Sequence, residues 1–513
     1  MSQINTNIQS LIGQRIVGQQ TNALNKTLER LSTGYRINRG GDDPAGLIVS
    51  EGLRSEKASL TTAISNAERA EQVVNVAEGG LTEVSSLLLE MQSLIGQSGS
   101  EAGLSLAEKE ANQQQIDDIL STIDRISQTT TFQGTKLLNG SFDFVVSGQD
   151  ANIVDLQVNA AKIGSSNVDV EAIVTQSAQQ AGLYLSVGAA SLGLTSAVDS
   201  FVLEIAGTNG VREFSFGQST STADIVAQIN SFTEVTGVSA STYTGTGGNG
   251  ILLNTAETGS REFVSVDIVD DGGQAGGIYN VDANNVLSAA STQTAAFSSV
   301  TNAVRDDGRD VAATINGITA RGDGNRVVVN SDSLSIDVTL SAAISQNVGN
   351  TDLFTITGGG ASFNIGPTVD LNNQVRLGIP TVRSSRLGVQ NIDDPDNAGS
   401  LLRASLKDIG SGRALNVVDG DLLSAQKVVN SAVTQVASLR GRLGAFQKNV
   451  IGSSINSLNV AFENIAAAES AIRDTDFAEA TSALTRNQIL QQSAQQALAI
   501  ANNSPSSVLQ LLG

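Results

Sequence analysis

Small and apolar residues alternate at three-four spacing from Leu60 to Ile95, through Ala63, Ala67, Ala70, Val74, Ala77, Leu81, Val84, Leu88 and Met91. This holds one seam along a helix about 50 Å long at ~1.5 Å per residue, the pattern of a coiled coil whose narrow apolar face needs partners. Ile116, Ile119, Ile123 and Ile126 carry the spacing onto a second, shorter helix after the connection "GQSGSEAGLS", which predicts an antiparallel pair. The period returns at Leu422, Ala425, Val429, Ala432, Val436, Leu439, Leu443, Phe446 and Val450. It then slips by one position to Ile451, Ile455, Leu458, Phe462 and Ile465, a change that alters winding locally. One bundle is thus built from both ends of the chain, with the middle inserted at its tip.

The outermost arms read differently. One has Ile4, Ile8 and Leu11, then Val17, Thr21, Leu24, Leu28, Leu31 and Tyr35; the other repeats Ala480, Ala483, Asn487, Leu490, Ala494, Ala497 and Ala501. Alanine seams let helices approach closely but bury little area. Both arms are therefore expected to be poorly ordered alone and helical once packed against other copies. No charged side chain occurs from Asn487 to Gly513, as suits a segment buried among many copies, where repeated like charges would stack at short range.

Between about 173 and 397 the heptads vanish. "FVLEIAG", "VREFSFG", "GILLNTAE", "EFVSVDIVD" and "DSLSIDVTL" alternate like strands between Gly-rich turns, and Ser221-x-x-Asp224 opens a short helix over 221–230. The expected fold is α+β and multidomain: long coiled-coil helices from both termini, and a β-rich inserted outer region of one or two sub-domains.

Composition then removes whole classes of chemistry. The 513-residue chain has no His and no Cys, so Ser-His-Asp, Cys-His, HExxH and thiolate zinc sites are impossible. A net charge of −21, with no basic stripe, opposes nucleic-acid binding. Aromatics are 4% of residues and Trp is absent, so packing relies on Ala, Val, Ile and Leu. The opening "MSQINTNIQS" lacks the look of a cleaved leader, and no run of about 18 apolar residues occurs. A soluble or leaderless exported protein without membrane insertion is expected.

The run "LSTGYRINRGGDDPAGL" (31–47) has the parts of a phosphate or metal site, yet it fits neither GxGxxG nor a P-loop. Adjacent Asp42 and Asp43 alone make a poor cation cage. A hinge between two helices explains it better. Gly40-Gly41 would end the first helix, Asp43 would cap the second with Pro44 at its first position, and Arg36 and Arg39 would support the joint through Asp42 and Asp43. Asp270-Asp271-Gly272, Asp306-Asp307-Gly308 and Asp323-Gly324 lack calcium-loop spacing and read as turns, as does Arg321-Gly322-Asp323. Nothing selects a catalytic pair of carboxylates. No enzyme activity, catalytic residue, metal or cofactor is expected.

"INTNIQSL", "LERLSTGYRINRGGDDPAGL", "GTKLLNG" (134–140) and the ending "IRDTDFAEATSALTRNQILQQSAQQALAIANNSPSSVLQLLG" together resemble the termini of bacterial flagellin, over about 1–140 and 420–513. "FSFGQSTSTADIVAQIN" is similar to a short repeat of flagellin outer domains and filament-cap proteins. The resemblance implies a structural subunit that self-assembles into a helical homopolymer for swimming motility. It implies an inner coiled coil from 1–43 with 471–513, a helical shell with a small β-hairpin region from 44–172 with 398–470, and a variable surface from 173–397. The arm faces, represented by Ile4, Ile8, Leu11, Leu24, Leu28, Leu31, Leu490, Ala494, Ala497 and Ala501, would be the assembly interface.

Secretion to an extracellular filament would involve the flagellar export apparatus, an export chaperone, and the filament cap and hook-junction proteins. The segment that resembles the one read by the animal Toll-like flagellin receptor keeps Leu94 and Gln97, but has Glu90 where the family has arginine and Gln115 where it has glutamate. Weak recognition by that innate immune receptor is the expectation. A hook-filament junction protein shares the terminal helices, and an adhesin acting through 173–397 is a further alternative; the zinc peptidase some flagellins carry there would need HExxH.

Overall fold

A computed structural model describes residues 6–100, 103–164, 167–196, 198–245, 248–281, 293–331, 333–393 and 401–510. Its helices are α1 (Ile8–Thr33), α2 (Pro44–Ser98), α3 (Leu106–Thr129), α4 (Thr222–Asn230), α5 (Thr233–Thr236), α6 (Ala342–Ser345), α7 (Leu422–Ala445), α8 (Ser453–Arg473) and α9 (Phe477–Gln510). Two compact units divide the chain: residues 1–75, 363–374 and 442–513 form one, and residues 76–362 and 375–441 the other. The 55-residue α2 contributes to both.

Sequence periodicity explains the helical parts. Every residue of the α2 seam from Leu60 to Ile95 is at most 4% exposed. In the first unit, Leu60 and Ala63 pack with Leu458, Ala461, Phe462 and Ile465 of α8. In the second, Ile116 and Ile123 of α3 and Val429, Ala432 and Val436 of α7 are buried, and Gln92 of α2 donates to Asn430 of α7 at 2.8 Å. Ser105 and Glu108 cap α3 reciprocally, and Ser221 caps α4 as expected.

The slip at Val450 and Ile451 has a structural form. Residues Phe446–Gly452 make a turn of π-helix between α7 and α8, so the buried positions jump from Phe446 by five to Ile451. A π-turn accommodates one inserted residue. Deleting exposed Lys448 would restore unbroken three-four spacing, since Ile451, Ile455 and Leu458 would each move up by one. We expect this deletion to leave thermal stability within ~1 kcal/mol of the parent, while deleting two residues lowers it by several, because the α8 face then rotates off α2. Paired melting curves by circular dichroism check this.

The β-rich part is two sandwiches, each with its own core. In the first, a sheet ordered Ile318–Thr319, Ala312–Ile315, Val168–Gln176, Gly349–Gly359, Phe144–Ser147 faces one ordered Arg321–Asp323, Arg326–Asn330, Leu334–Leu340, Ile153–Ala161. In the second, a sheet centred on Gly182–Ser186 faces one centred on Ser200–Gly207 and Phe263–Asp270, and Ile225 and Ile229 of α4 join its core. Strands that pair with the insertion therefore begin at Phe144, before residue 173. Register shifts at Asn159 and Val154, within Ile153–Ala161, break the alternation that would have marked this strand in the sequence.

The Arg321-Gly322-Asp323 tripeptide is an edge strand paired with Arg326–Val328; the turn falls after it, where Gly324 has φ +60°. Asp323 pairs with Arg261 at 3.4 Å. At the Asp270-Asp271-Gly272 turn, the two carboxylates accept from the backbone N–H of Gly272 and Gly273, both at 3.0 Å. Among the described residues no group of three or more His, Cys, Asp or Glu stands close enough to hold a metal ion.

Candidate assembly interface

Helices α1 and α9 lie antiparallel within the chain. Asn7 Nδ2 donates to the Ala501 carbonyl at 2.8 Å and Ser10 Oγ to Asn502 Oδ1 at 2.6 Å, while at the far end Asn487 Nδ2 donates to Thr27 Oγ1 at 3.0 Å. Gln491 donates to Thr21 between these points, and a Cβ at Gly13 would come within 2.9 Å of Leu498 Cδ1. Small and amide side chains thus make a close seam with little apolar area. Within the single chain each arm thus has a helical partner.

This pairing divides the expected interface set. Ala494 and half-buried Ala501 belong to the seam inside the chain, and Leu24 and Leu31 are half-buried. Ile8 and Leu11 are 56% and 57% exposed, and Leu28, Leu490 and Ala497 are also exposed. Ile12, Ile16, Ile489 and Ile500 add to the uncovered apolar surface. No residue of α1 is buried. Ile4 lies outside the described residues.

The joint between α1 and α2 is built as a capped turn. α1 stops at Gly34, not at Gly40-Gly41: Gly34 takes φ +76° and its N–H reaches the Arg30 carbonyl, a conformation that glycine adopts without strain. Gly40 and Gly41 instead occupy the centre of a turn in which Asp42 N–H donates to the Arg39 carbonyl at 2.9 Å. Asp43 caps α2 as expected, with Oδ1 accepting from Gly46 N–H at 2.9 Å and Pro44 in the first helical position. Only one of the expected charge pairs forms directly, Arg36 with Asp43 at 3.9 Å. Arg39 pairs with Glu29 at 3.0 Å and Asp42 with Lys26 at 2.7 Å.

A second strand of chain locks this joint. Arg36 N–H donates to the Arg473 carbonyl at 2.6 Å, Thr475 N–H donates to the Gly34 carbonyl at 2.9 Å, and the Arg473 guanidinium sits 4.5 Å from the Tyr35 ring centre. Ile37 is 1% exposed beneath them. The link from α8 to α9 therefore passes the link from α1 to α2, and the two arms leave together. Lys26, Glu29, Ile37, Gly46 and Arg473 were not singled out by the sequence. Ile37 alone carried a signal, an isolated apolar residue in a polar run.

The Lys26 ammonium, then the backbone N–H groups of Arg39 and Asn38, hold the Asp42 carboxyl at about 2, below its ordinary 3.8. A carboxyl lowered by folding stabilises the fold above its unfolded value and loses that contribution as pH falls through the folded one. The parent is expected to melt above an Asp42→Asn variant at pH 5, with the gap closing between about pH 4 and 2. Melting curves of both proteins across that range measure it.

In the receptor-like segment, Glu90, Gln97 and Gln115 are exposed, but Leu94 is 6% exposed and belongs to the helical core. It lies three residues after Met91 and beside Ile95, both in the buried seam, so only the polar members of that set present a surface.

Sequence comparison agrees with this architecture. The bacterial flagellin N-terminal helical region matches residues 4–143, the bacterial flagellin C-terminal helical region matches 426–512, and the flagellin hook IN motif matches 200–257. The chain is similar to B-type flagellin of Pseudomonas aeruginosa, 29% identical over 560 residues with 99% of each chain covered. It is similar to Flagellin B of Helicobacter pylori, 27% identical over 529 residues, again with 99% of each covered. The solved structure of FliC from Burkholderia pseudomallei aligns over 74% of this chain and 99% of that one, at 16% identity and a TM-score of 0.22. With both terminal helical regions matched at their proper ends and flagellins aligned along its whole length, the chain belongs to the bacterial flagellin family.

Proposed function

We propose that copies of this chain join through the apolar faces that α1 and α9 leave uncovered. The chain is a structural subunit of the extracellular bacterial flagellar filament. Full-length flagellin relatives favour this over a hook-filament junction protein or a surface adhesin. One observation carries the assembly reading: α1 is amphipathic and 26 residues long, yet none of its residues is buried within the chain. A face of that kind is stable in water only when something covers it. The contact between copies is heterologous, so rotation does not close it and growth continues.

On this reading, 1–43 with 471–513 form the inner coiled coil, the helical part of 44–172 with 398–470 the next shell, and 173–397, with the strands from Phe144 onward that pair with it, the outer surface. The joint at Arg36–Pro44 sets the angle at which the arms leave the shell. The chain leaves the cell through the flagellar export apparatus with an export chaperone, and meets the hook-junction proteins at one end of the filament and the cap at the other. Recognition by the Toll-like receptor is weak, because Glu90 and Gln115 replace the expected charges and Leu94 points into the core.

Electron microscopy of the purified full chain after seeding tests the reading. Long filaments that consume the subunit are expected, and a chain that stays monomeric at every concentration in the presence of seeds would contradict it.

A further inference from the structure

We infer that Asp310 is a latch that fixes the angle between the two sandwiches, and that without it the second sandwich swings about the pair of strands joining it to the first. The latch belongs to the single chain and acts whether or not copies assemble.

Among the described residues the chain crosses between the sandwiches at two places. It leaves the first after Val168–Gln176 and enters the second at Gly182–Ser186, and it returns from Val304–Asp307 to Ala312–Ile315. The crossings run side by side: Gln179 N–H donates to the Arg309 carbonyl at 2.8 Å, and Arg309 N–H to the Gln179 carbonyl at 2.9 Å. Two adjoining strands of this kind make an axis. Soft backbone torsions along them leave the angle between the two bodies free, so a third attachment, off the axis, is needed to hold it.

Asp310 supplies that attachment. The connection between Gly248–Thr255 and Phe263–Asp270 of the second sandwich approaches the turn between Arg321–Asp323 and Arg326–Asn330 of the first, and Asp310, on the returning crossing, stands between them. Its Oδ1 accepts from the backbone N–H of Ser260 at 2.9 Å and from that of Gly324 at 2.8 Å, while Oδ2 accepts from Ser260 Oγ at 2.5 Å. One carboxylate thus holds a group from each body. The Arg261–Asp323 ion pair spans the same two segments. Their backbones touch: a Cβ at Gly259 would stand 3.1 Å from Gly324 Cα, and a Cβ at Gly324 would stand 2.5 Å from the Thr258 carbonyl oxygen. An approach this close leaves no room for a side chain on either segment.

The charge on the latch matters. Burial pushes the Asp310 carboxyl up, but the Ser260 hydroxyl, the N–H groups of Gly324 and Ser260, and the Arg261 charge outweigh it and hold the carboxyl below its ordinary 3.8. It is ionised at neutral pH, and its hydrogen bonds are of the stronger, charge-assisted kind. An amide has one acceptor oxygen and would turn hydrogens toward donors, so Asp310→Asn keeps the shape and releases the clamp.

The chain has no cysteine, so spin labels can be placed without background. Val145→Cys on the first sandwich and Val211→Cys on the second use positions that are 57% and 54% exposed. Pulsed dipolar spectroscopy of the full-length subunit then reads the distance distribution between the two bodies. The labelled parent should give one narrow distribution, and Asp310→Asn should broaden it at least about twofold while circular dichroism shows parental secondary structure. Ser260→Ala with Arg261→Ala, which weakens the latch from the other side and leaves Asp310 in place, should broaden it as well. Asp307→Asn is the control, because its carboxylate pairs with Arg305 within the second sandwich at 2.7 Å, and it should keep the parental width. A broad distribution in the parent, or parental width in both latch variants, would overturn the assignment and leave the filament reading untouched.

Discussion

Replacing Leu11 and Ile12 with aspartate abolishes filament growth and leaves the single chain folded. Leu11 and Ile12 are 57% and 43% exposed and α1 has no buried residue, so the substitution removes little packing within the chain. Aspartate near the start of α1 also suits the positive end of the helix. In the filament the balance reverses. Burying two large aliphatic side chains contributes roughly 1.5–3 kcal/mol each, and carboxylates placed there would be desolvated without a partner. The concentration required for growth should rise at least ~100-fold, equivalent to ~2.8 kcal/mol. Sedimentation of polymer over a concentration series measures it, alongside a melting curve to confirm the fold. A variant that polymerises at the parental concentration would show that this face of α1 is not an interface.

The second large effect belongs to the joint. A methyl group at Gly46 would stand 2.5 Å from Asp43 Oδ2 and 2.7 Å from Ile37 Cδ1. Either the Asp43 cap swings away, at a cost of ~1 kcal/mol, or buried Ile37 shifts, at ~1–3 kcal/mol. The helix propensity of alanine offsets up to ~1 kcal/mol of this. Gly46→Ala should therefore destabilise the chain by a net ~1–2 kcal/mol and change the angle at which α1 meets α2, giving fewer or reshaped filaments. Gly52→Ala is the control: it lies six residues further along α2 with nothing within 4 Å of its added methyl, so it should be neutral or stabilising. Equal behaviour of the two variants would mean that the Asp43–Gly46 cap does not define the joint.

What the sequence revealed was what its local spacing encodes. The α2 seam and the α7 period are repeated over many turns, so their buried faces could be read directly, and even the one-residue slip at Val450 and Ile451 survived as a π-turn. Asp43-Pro44 was legible because a cap acts within four residues. Glycine was less decisive. Three glycines stand near the end of α1, and only the backbone conformation shows that Gly34 carries the positive φ while Gly40 and Gly41 do not.

Contacts distant in sequence left little trace. Arg473 reaches Tyr35 and Arg36 across more than four hundred residues, and nothing in "IRDTDF" signals it. The arms show the same limit. The seam within the chain uses Asn487, which the period of the arm included, together with Gln491, which it omitted. Leu490, which the pattern favours, is left outside. The β boundary failed for a related reason: bulges within Ile153–Ala161, at Asn159 and Val154, shift the register, so the two-residue period that marks a strand is lost.

The central claim is that the paired arms lack a core of their own and acquire one from neighbouring copies. Amide hydrogen exchange over residues 8–33 and 477–501, compared between the free subunit and the filament, tests it most directly. Helices with so little buried surface open readily, so exchange in the free subunit should be fast and should slow at least ~100-fold on polymerisation, while the α2 seam from Leu60 to Ile95 is protected in both. Arms as strongly protected in the free subunit as in the filament would contradict the account.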